Sequence, residues 1–389
     1  METILCDRSA FLYWRTPPIA RLLASGPEDD PMLRALLDVG TIRALRLELL
    51  ESSELVSSSY GLTGRRSHCG IAGLRVAGTL PLLATNFGGP VDVLAATPED
   101  RRPSGVIRPR VWGATLPDNS TSVIREGVEV VSPELALQQL AVRVDAVRTA
   151  LLLSELLGTF SVYQAPGPLA KVLQELADHN RLPAYRGWRA ARNNGGKLTG
   201  LWSRPPLLSL DRLQNHLALA SSRGKRALTE AARRARVGAA SPFEAQAGML
   251  LAESVRHGGE GYLGLEHNRR VALSADAKRL CGLSSCYCDL FWEREGGDVD
   301  VECQSSSHHF GSRSSVSDAD RSTALQMMGI EVIQLTYAQM ENAQRFEAFS
   351  RLLAEKLGVE RQERTQREKR AQEDLRASVL VDWESLPDV

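Results

Sequence analysis

Apolar residues recur at helical spacing over residues 31–55, where Met32, Leu33, Leu36, Leu37, Ile42, Leu45 and Leu47 follow one periodic track. Residues 1–60 are therefore expected to be a helical region. Between residues 71 and 131 the texture changes to short β-type runs at 91–94, 106–112 and 123–131, separated by Gly, Pro, Asp and Asn. Ser132-Pro133-Glu134 then opens a long apolar-periodic helix running through Leu135, Leu140 and Val144 to Leu157, with Ser as N-cap and Pro at the first helical position. Together these predict a small α+β unit over 61–163. Residues 164–240 are mixed and polar, with loop signals at Asn193-Asn194-Gly195-Gly196 and Arg204-Pro205-Pro206 and helices expected at 169–179 and 210–236. They read as a helical connecting region.

After Ala240 the order becomes clean: a helix from Ser241, a strand near Val271, a hairpin over 287–304, a helix over 317–328, a strand over 330–336 and a helix over 337–357. A hairpin followed by helix, strand and helix makes an α/β unit over 241–358 in which the hairpin and the last strand share a mixed sheet flanked by helices. Residues 359–389 begin with an almost unbroken run of Glu, Arg, Gln and Lys, expected to be a solvated helical extension or a flexible tail. The whole is an α+β multidomain chain. Its 389 residues exceed one ordinary core, and 43% hydrophobic with 24% charged residues matches folded proteins.

The decisive segment is Cys286-Tyr-Cys-Asp-Leu-Phe-Trp292, a turn, and Val299-Asp-Val-Glu-Cys-Gln304. Side chains alternate along a strand, so Asp300, Glu302 and Gln304 share one face, and Asp289 joins them in the register that buries the apolar residues. Cys288, Leu290, Trp292, Val299, Val301 and Cys303 then make an apolar side. Two carboxylates held together repel, and a divalent cation such as Mg²⁺ (or Mn²⁺) compensates with a preference for oxygen ligands. Such a site suits phosphodiester hydrolysis. A solvated acidic face is the alternative.

Asp289, Glu302-x-Gln304, His308-His309, Asp318-x-x-Arg321-x-x-x-Leu325-x-x-x-Gly329 and the strand Ile330-Glu-Val-Ile-Gln-Leu-Thr336 resemble the nuclease-like domain related to very-short-patch repair endonucleases, a branch of the PD-(D/E)XK superfamily. The resemblance covers about a quarter of the chain. It implies a restriction-endonuclease-like core and a metal-dependent DNA endonuclease, with Asp289 and Glu302 as metal ligands and a helix glutamate, Glu244, as a further acid. Gln304, stands where the superfamily pattern has Lys, orienting water or substrate; some restriction enzymes of the superfamily use Gln there, and many members of this branch carry Asp. His308 is a candidate base or phosphate-holding residue. Glu244 also fits a capping box with Ser241, its carboxylate reaching back to the Ser241 N–H.

The Asp+Glu and Lys+Arg totals balance at 47 each, so DNA affinity must come from local patches. Arg186, Arg189 and Arg192, with Tyr185 and Trp188 between them, form one candidate contact; Lys225, Arg226 and Arg233 form a second. Arg321 either reaches phosphate or pairs with Asp318 at i,i+3. Zinc is disfavoured at Cys281, Cys286, Cys288 and Cys303, which contain no Cys-x-x-Cys pair. The amino terminus lacks a signal pattern, no run approaches the roughly 18 apolar residues of a spanning helix, and six scattered cysteines suit a reducing compartment, so a cytoplasmic protein without a membrane partner is expected. The strands near 91–112 and the segment 125–140 resemble the antitoxin and regulator proteins of type IV abortive-infection systems. That resemblance implies a regulator module before a nuclease, in bacterial defence or a mobile element. A DNA- or partner-binding regulator with an inactive nuclease fold is the alternative function; a homodimer suits cutting of both strands, and nothing in the sequence requires one.

Overall fold

A computed structural model of the chain describes residues 3–52, 80–220, 222–304 and 318–388. It is a mixed α and β structure with three sheets among the described residues. Strand β1 (Thr3–Leu5) precedes helices α1 (Asp7–Arg15), α2 (Pro18–Ser25), α3 (Pro31–Leu36) and α4 (Val39–Glu51). Asp30 starts α3 by accepting from the Met32 and Leu33 N–H groups, and Asp38 starts α4 by accepting from the Thr41 N–H. β1 leaves the helical region to stand in the middle of a five-stranded sheet of order β3-β2-β1-β5-β4, with β2 (Val91–Ala95), β3 (Ile107–Val111), β4 (Thr121–Arg125) and β5 (Val128–Val131). The run expected over 123–131 is thus two antiparallel strands, folded back at Gly127, whose φ of +76° suits glycine.

The helix expected from Ser132 to Leu157 is broken. It becomes α5 (Pro133–Leu140) and α6 (Ala146–Leu157), because Asp145 accepts from the Val147 and Arg148 N–H groups and starts a new helix. The connecting region holds a second sheet: β6 (Phe160–Val162), helix α7 (Gly167–Asp178), β7 (Arg189–Arg192) and β8 (Leu198–Ser203), in antiparallel order β6-β8-β7. Strands this short, reading Arg-Ala-Ala-Arg and Leu-Thr-Gly-Leu-Trp-Ser, carry too little alternation to be seen in sequence. The helix expected over 210–236 divides into α8 (Leu210–Leu219) and α9 (Lys225–Arg234), with Gly224 at φ +82° before the second. Helices α2 to α4 bury Leu23, Leu33, Ile42 and Leu49 against α7 and against Trp188 and Trp202 of this region.

The last third keeps the predicted order with two differences, an added helix α11 and a final helix divided where Asn342 caps α14: α10 (Pro242–Ala252), β9 (Glu266–Ala272), α11 (Ala275–Cys281), β10 (Ser285–Trp292), β11 (Val299–Gln304), α12 (Asp318–Met327), β12 (Glu331–Thr336), α13 (Tyr337–Glu341) and α14 (Ala343–Leu357). The strands form one mixed sheet of order β12-β11-β10-β9, in which β9-β10-β11 are antiparallel and β11-β12 are parallel. A parallel pair needs a crossover, and α12 lies within it. Both faces of this sheet are covered. Leu290, Trp292, Val299 and Val301 pack with α10 and α14, while Cys286, Cys288 and Phe291 pack with Ala277, Cys281, Ala324 and Leu325 of α11 and α12.

The charged tail is helical, as one of its two expectations had it, but it is not solvated throughout. It forms α15 (Gln366–Val379), and Leu375, Val379, Trp383 and Leu386 are buried in the largest core cluster, which reaches back to Phe11. Each such burial contributes about 1.5–3 kcal/mol, against a few tenths for an exposed charge pair, so four apolar side chains outweigh the polar composition. Among the described residues, no helix is long and apolar enough to cross a membrane.

Candidate active site

The β10-β11 ladder pairs Trp292 with Val299, Phe291 with Asp300 and Leu290 with Val301. One more rung would set Asp289 opposite Glu302, as the apolar pattern predicts. The strands part there instead: Asp289 Oδ2 accepts the Cys303 backbone N–H at 2.9 Å, so a carboxylate takes the place of a ladder carbonyl. On the other side of β10 the rung of Asp289 meets Asn268 of β9, whose φ is +50°. This is a paired irregularity. Cys288 and Leu290 are two residues apart, yet they pack on opposite faces of the sheet. The expectation that Cys286 and Cys288 lie with Leu290 therefore fails, because strict alternation is lost at Asp289.

Helix α10 brings Glu244 to the same place. Ser241 caps the helix by accepting from the Glu244 N–H at 3.1 Å and donates its hydroxyl to Glu244 Oε1 at 2.8 Å. Glu244 Oε2 accepts from the Ala240 N–H at 2.7 Å and from Asn268 Nδ2 at 3.0 Å. The carboxylate thus caps the helix one residue earlier than the Ser241 N–H predicted, and it also ties α10 to β9. Burial pushes the Glu244 carboxyl up to about 8, with the nearby Asp289 adding to the rise. Burial also raises Asp289, against the pull of the Cys303 N–H and Arg321.

Asp300 is fully buried, and neither of its oxygens makes a hydrogen bond among the described residues. Burial first, then Asp289, pushes its carboxyl up to about 7; the Cys288 thiol and Leu290 N–H face it closely enough to oppose the rise without closing a full hydrogen bond. A solvated acidic face is thereby excluded at Asp300. Glu302 is half-buried; Arg321 of α12 pairs with its Oε2, while Oε1 is buried with no partner among the described residues. Arg321 is consequently bound to a carboxylate rather than reaching outward to phosphate. Gln304 is exposed at the end of β11, paired in register with Thr336.

The donor chemistry fits a hard cation. Asp289, Asp300 and Glu302 are oxygen donors, three of their oxygens are buried and unpaired, and Mg²⁺ needs only one or two carboxylates beside water and phosphate. No group of three or more His, Cys, Asp and Glu side chains arranged for a metal exists among the described residues. Cys281, Cys286 and Cys288 pack on one face of the sheet and Cys303 against the other, and burial pushes the thiols of Cys286, Cys288 and Cys303 above their ordinary value.

The remaining predicted residues are dispersed. His308 and His309 lie outside the described residues. Arg186, Arg189, Arg226 and Arg233 are exposed, and Arg192 and Lys225 half-buried. Arg186 lies over Tyr185 at 5.4 Å, whereas Trp188 is buried beneath Arg204 and offers no face for a base. Arg233 pairs with Glu230. Asn268 and Asp300 were not among the predicted site residues; an Asn inside a β-run and a third acid on one strand face were the signals for them. Comparisons of the chain with protein-family models, curated proteins and solved structures gave no match.

Proposed function

We propose that residues 241–358 form a restriction-endonuclease-like core and that the chain is a divalent-metal-dependent endonuclease acting on DNA. The observation that carries this reading is Asp289 at the parted rung, half-buried and close enough to both Glu244 of α10 and Asp300 of β11 to raise the proton affinity of each, with Glu302 two residues beyond Asp300 on β11. Carboxyls whose proton affinity is raised around one side chain mark a candidate site. Asp289 and Glu302 would hold Mg²⁺ or Mn²⁺, which when bound polarises a phosphodiester and activates water.

The chain's own groups prepare that chemistry. The Cys303 N–H orients Asp289, Asn268 and the α10 amino end orient Glu244, and the two acids are held at the parted rung of the sheet. Gln304 has an amide to offer a phosphate oxygen or a water from the exposed strand end, but no charge. The test is supercoiled plasmid with Mg²⁺ or Mn²⁺. Metal-dependent nicking that disappears in Glu302→Ala is the expected result; a plasmid left intact by both the wild-type protein and Arg321→Ala, metal present, rejects the reading.

One observation favours a second reading, a DNA- or partner-binding regulator without cleavage: Arg321 already neutralises Glu302, and Gln304 supplies no cation. Cleavage that appears only in Arg321→Ala would identify the ion pair as a block on an otherwise competent site. Retention of DNA without cutting in both proteins would favour the regulator.

A further inference from the structure

Far along the chain from these acids, four guanidinium groups face one cavity of about 400 Å³. They belong to Arg8 of α1, Arg108 and Arg110 of β3, and Arg143 beyond α5. Two buried carboxylates set their directions. Arg108 grips Asp92 through Nε at 2.6 Å and its terminal nitrogen at 3.0 Å, and Arg110 reaches the same carboxylate through Nε at 2.7 Å. Arg143 pairs with Asp7, which is itself buried and held at φ +54° with its N–H on Gln139 at 2.8 Å. Asp92 keeps its charge, held below the usual carboxylate range by Arg108 and Arg110 despite burial. Anchored in this way, the arginines lose little further freedom when they receive a ligand.

The carboxyl-terminal segment closes one wall. Asp388 accepts from Arg8 Nε at 2.5 Å, and Pro387 lines the cavity beside it. Of the three carboxylates near the four cations among the described residues, Asp388 alone is exposed, with 55% of its side-chain surface open. It is the one that can leave. Its departure would uncover two uncompensated positive charges in a space large enough for more than a single oxyanion.

We propose that this cavity binds the terminal phosphate of a phosphate monoester, and that Asp388 occupies the Arg8 end of the same site as an internal competitor. A carboxylate is planar and presents two oxygens, too few for guanidinium groups arriving from α1, β3 and the segment after α5. A monoester phosphate presents three oxygens, one for each of the three directions from which the guanidinium groups arrive, and a charge of about −1.5 to −2, which balances the two positive charges left when Asp388 leaves. The volume falls in the range of small-molecule sites and leaves room for the attached organic body. The phosphate belongs either to a free nucleoside 5′-monophosphate or to the 5′ end of a nucleic acid strand.

Calorimetric titration in EDTA separates these sources from each other and from the nuclease reading, because no metal or cleavage is involved. The probes are a nucleoside 5′-monophosphate, a short single strand with a 5′-phosphate and its 5′-hydroxyl twin, with sulfate at matched ionic strength as the charge control. Binding of either phosphorylated probe, absent with the 5′-hydroxyl strand and not reproduced by sulfate, is expected. Preference for the strand over the mononucleotide marks a nucleic-acid end as the source, and the reverse marks a free nucleotide. Asp388→Asn, on an exposed side chain near the chain end, should tighten binding roughly two- to fivefold, the worth of a partly exposed ion pair. Arg8→Gln should weaken it, with circular dichroism confirming the fold. No binding to wild type or Asp388→Asn at millimolar probe, or equal affinity in the two, overturns the proposal even if Arg8→Gln does not fold.

Discussion

Asp289 accepts the backbone N–H of Cys303 across the opening between β10 and β11, at 2.9 Å. The bond makes one acidic side chain both a part of the sheet and a part of the candidate site. Removing the charge and removing the acceptor are therefore different experiments. Asp289→Asn keeps an oxygen for Cys303 and abolishes the repulsion with Glu244, so without metal it should be at least as stable as wild type. Asp289→Ala leaves the N–H unpaired and should fall below Asn by about 1–3 kcal/mol. Urea denaturation of the pair decides this, and equal stabilities would show that the bond contributes nothing.

The raised carboxyls set the pH dependence. Glu244 titrates at about 8 against an ordinary 4.5, and Asp300 at about 7 against 3.8. The folded protein binds these protons more tightly than the unfolded chain, so stability is greatest below the ordinary values and declines as pH rises towards 8. The melting temperature should fall between pH 5 and pH 8, with a shallower fall in Glu244→Gln. Divalent metal that binds the ionised acids should flatten the slope further; a slope of the opposite sign would contradict this account of the buried cluster.

His267 of β9 is half-buried with its ring nitrogens enclosed beside Gly248 of α10, and a Cβ at Gly248 would fall inside contact distance of the imidazole. Burial pushes His267 down to about 3, and neither ring nitrogen has a hydrogen-bond partner among the described residues. Gly248→Ala must displace a neutral ring packed against the helix, and overpacking of this kind costs about 1–3 kcal/mol. Guanidinium denaturation measures it. Gly248→Ala in a His267→Ala background should recover most of the loss.

Trp383 docks the carboxyl-terminal segment: its indole N–H donates to Glu155 Oε2 at 2.7 Å, and its ring lies 5.4 Å from Phe160. Glu155 also takes a two-point ion pair from Arg15. Trp383→Phe retains the ring and strips one bond from a buried carboxylate, a cost of about 1–3 kcal/mol, whereas Trp383→Ala should cost about 3–5 kcal/mol. Protease susceptibility within 366–388 should rise in the same order. Wild-type resistance in Trp383→Ala would mean that the segment is held elsewhere.

Local pattern was enough for most of the order of elements from Ser241 to Leu357, since periods of 2 and 3.6 are written residue by residue; the seven-residue helix Ala275–Cys281 and the break at Asn342 were too short to register. The register of β10 against β11 was legible for the same reason as far as Leu290–Val301, the last regular rung, beyond which the expected pairing of Asp289 with Glu302 does not form. What alternation could not reveal was the parted rung, because the direction of Asp289 depends on Asn268 and Cys303, 21 and 14 residues away in the chain. Nor could it show that Arg321 pairs with Glu302. In the same way, residues 359–389 read as solvent-facing because charge is counted locally, whereas Leu375, Val379, Trp383 and Leu386 find apolar partners that begin at Phe11. Backbone periodicity is a property of neighbours in sequence; the burial of a charge, and hence its proton affinity, is decided by surfaces that meet only when the chain has folded.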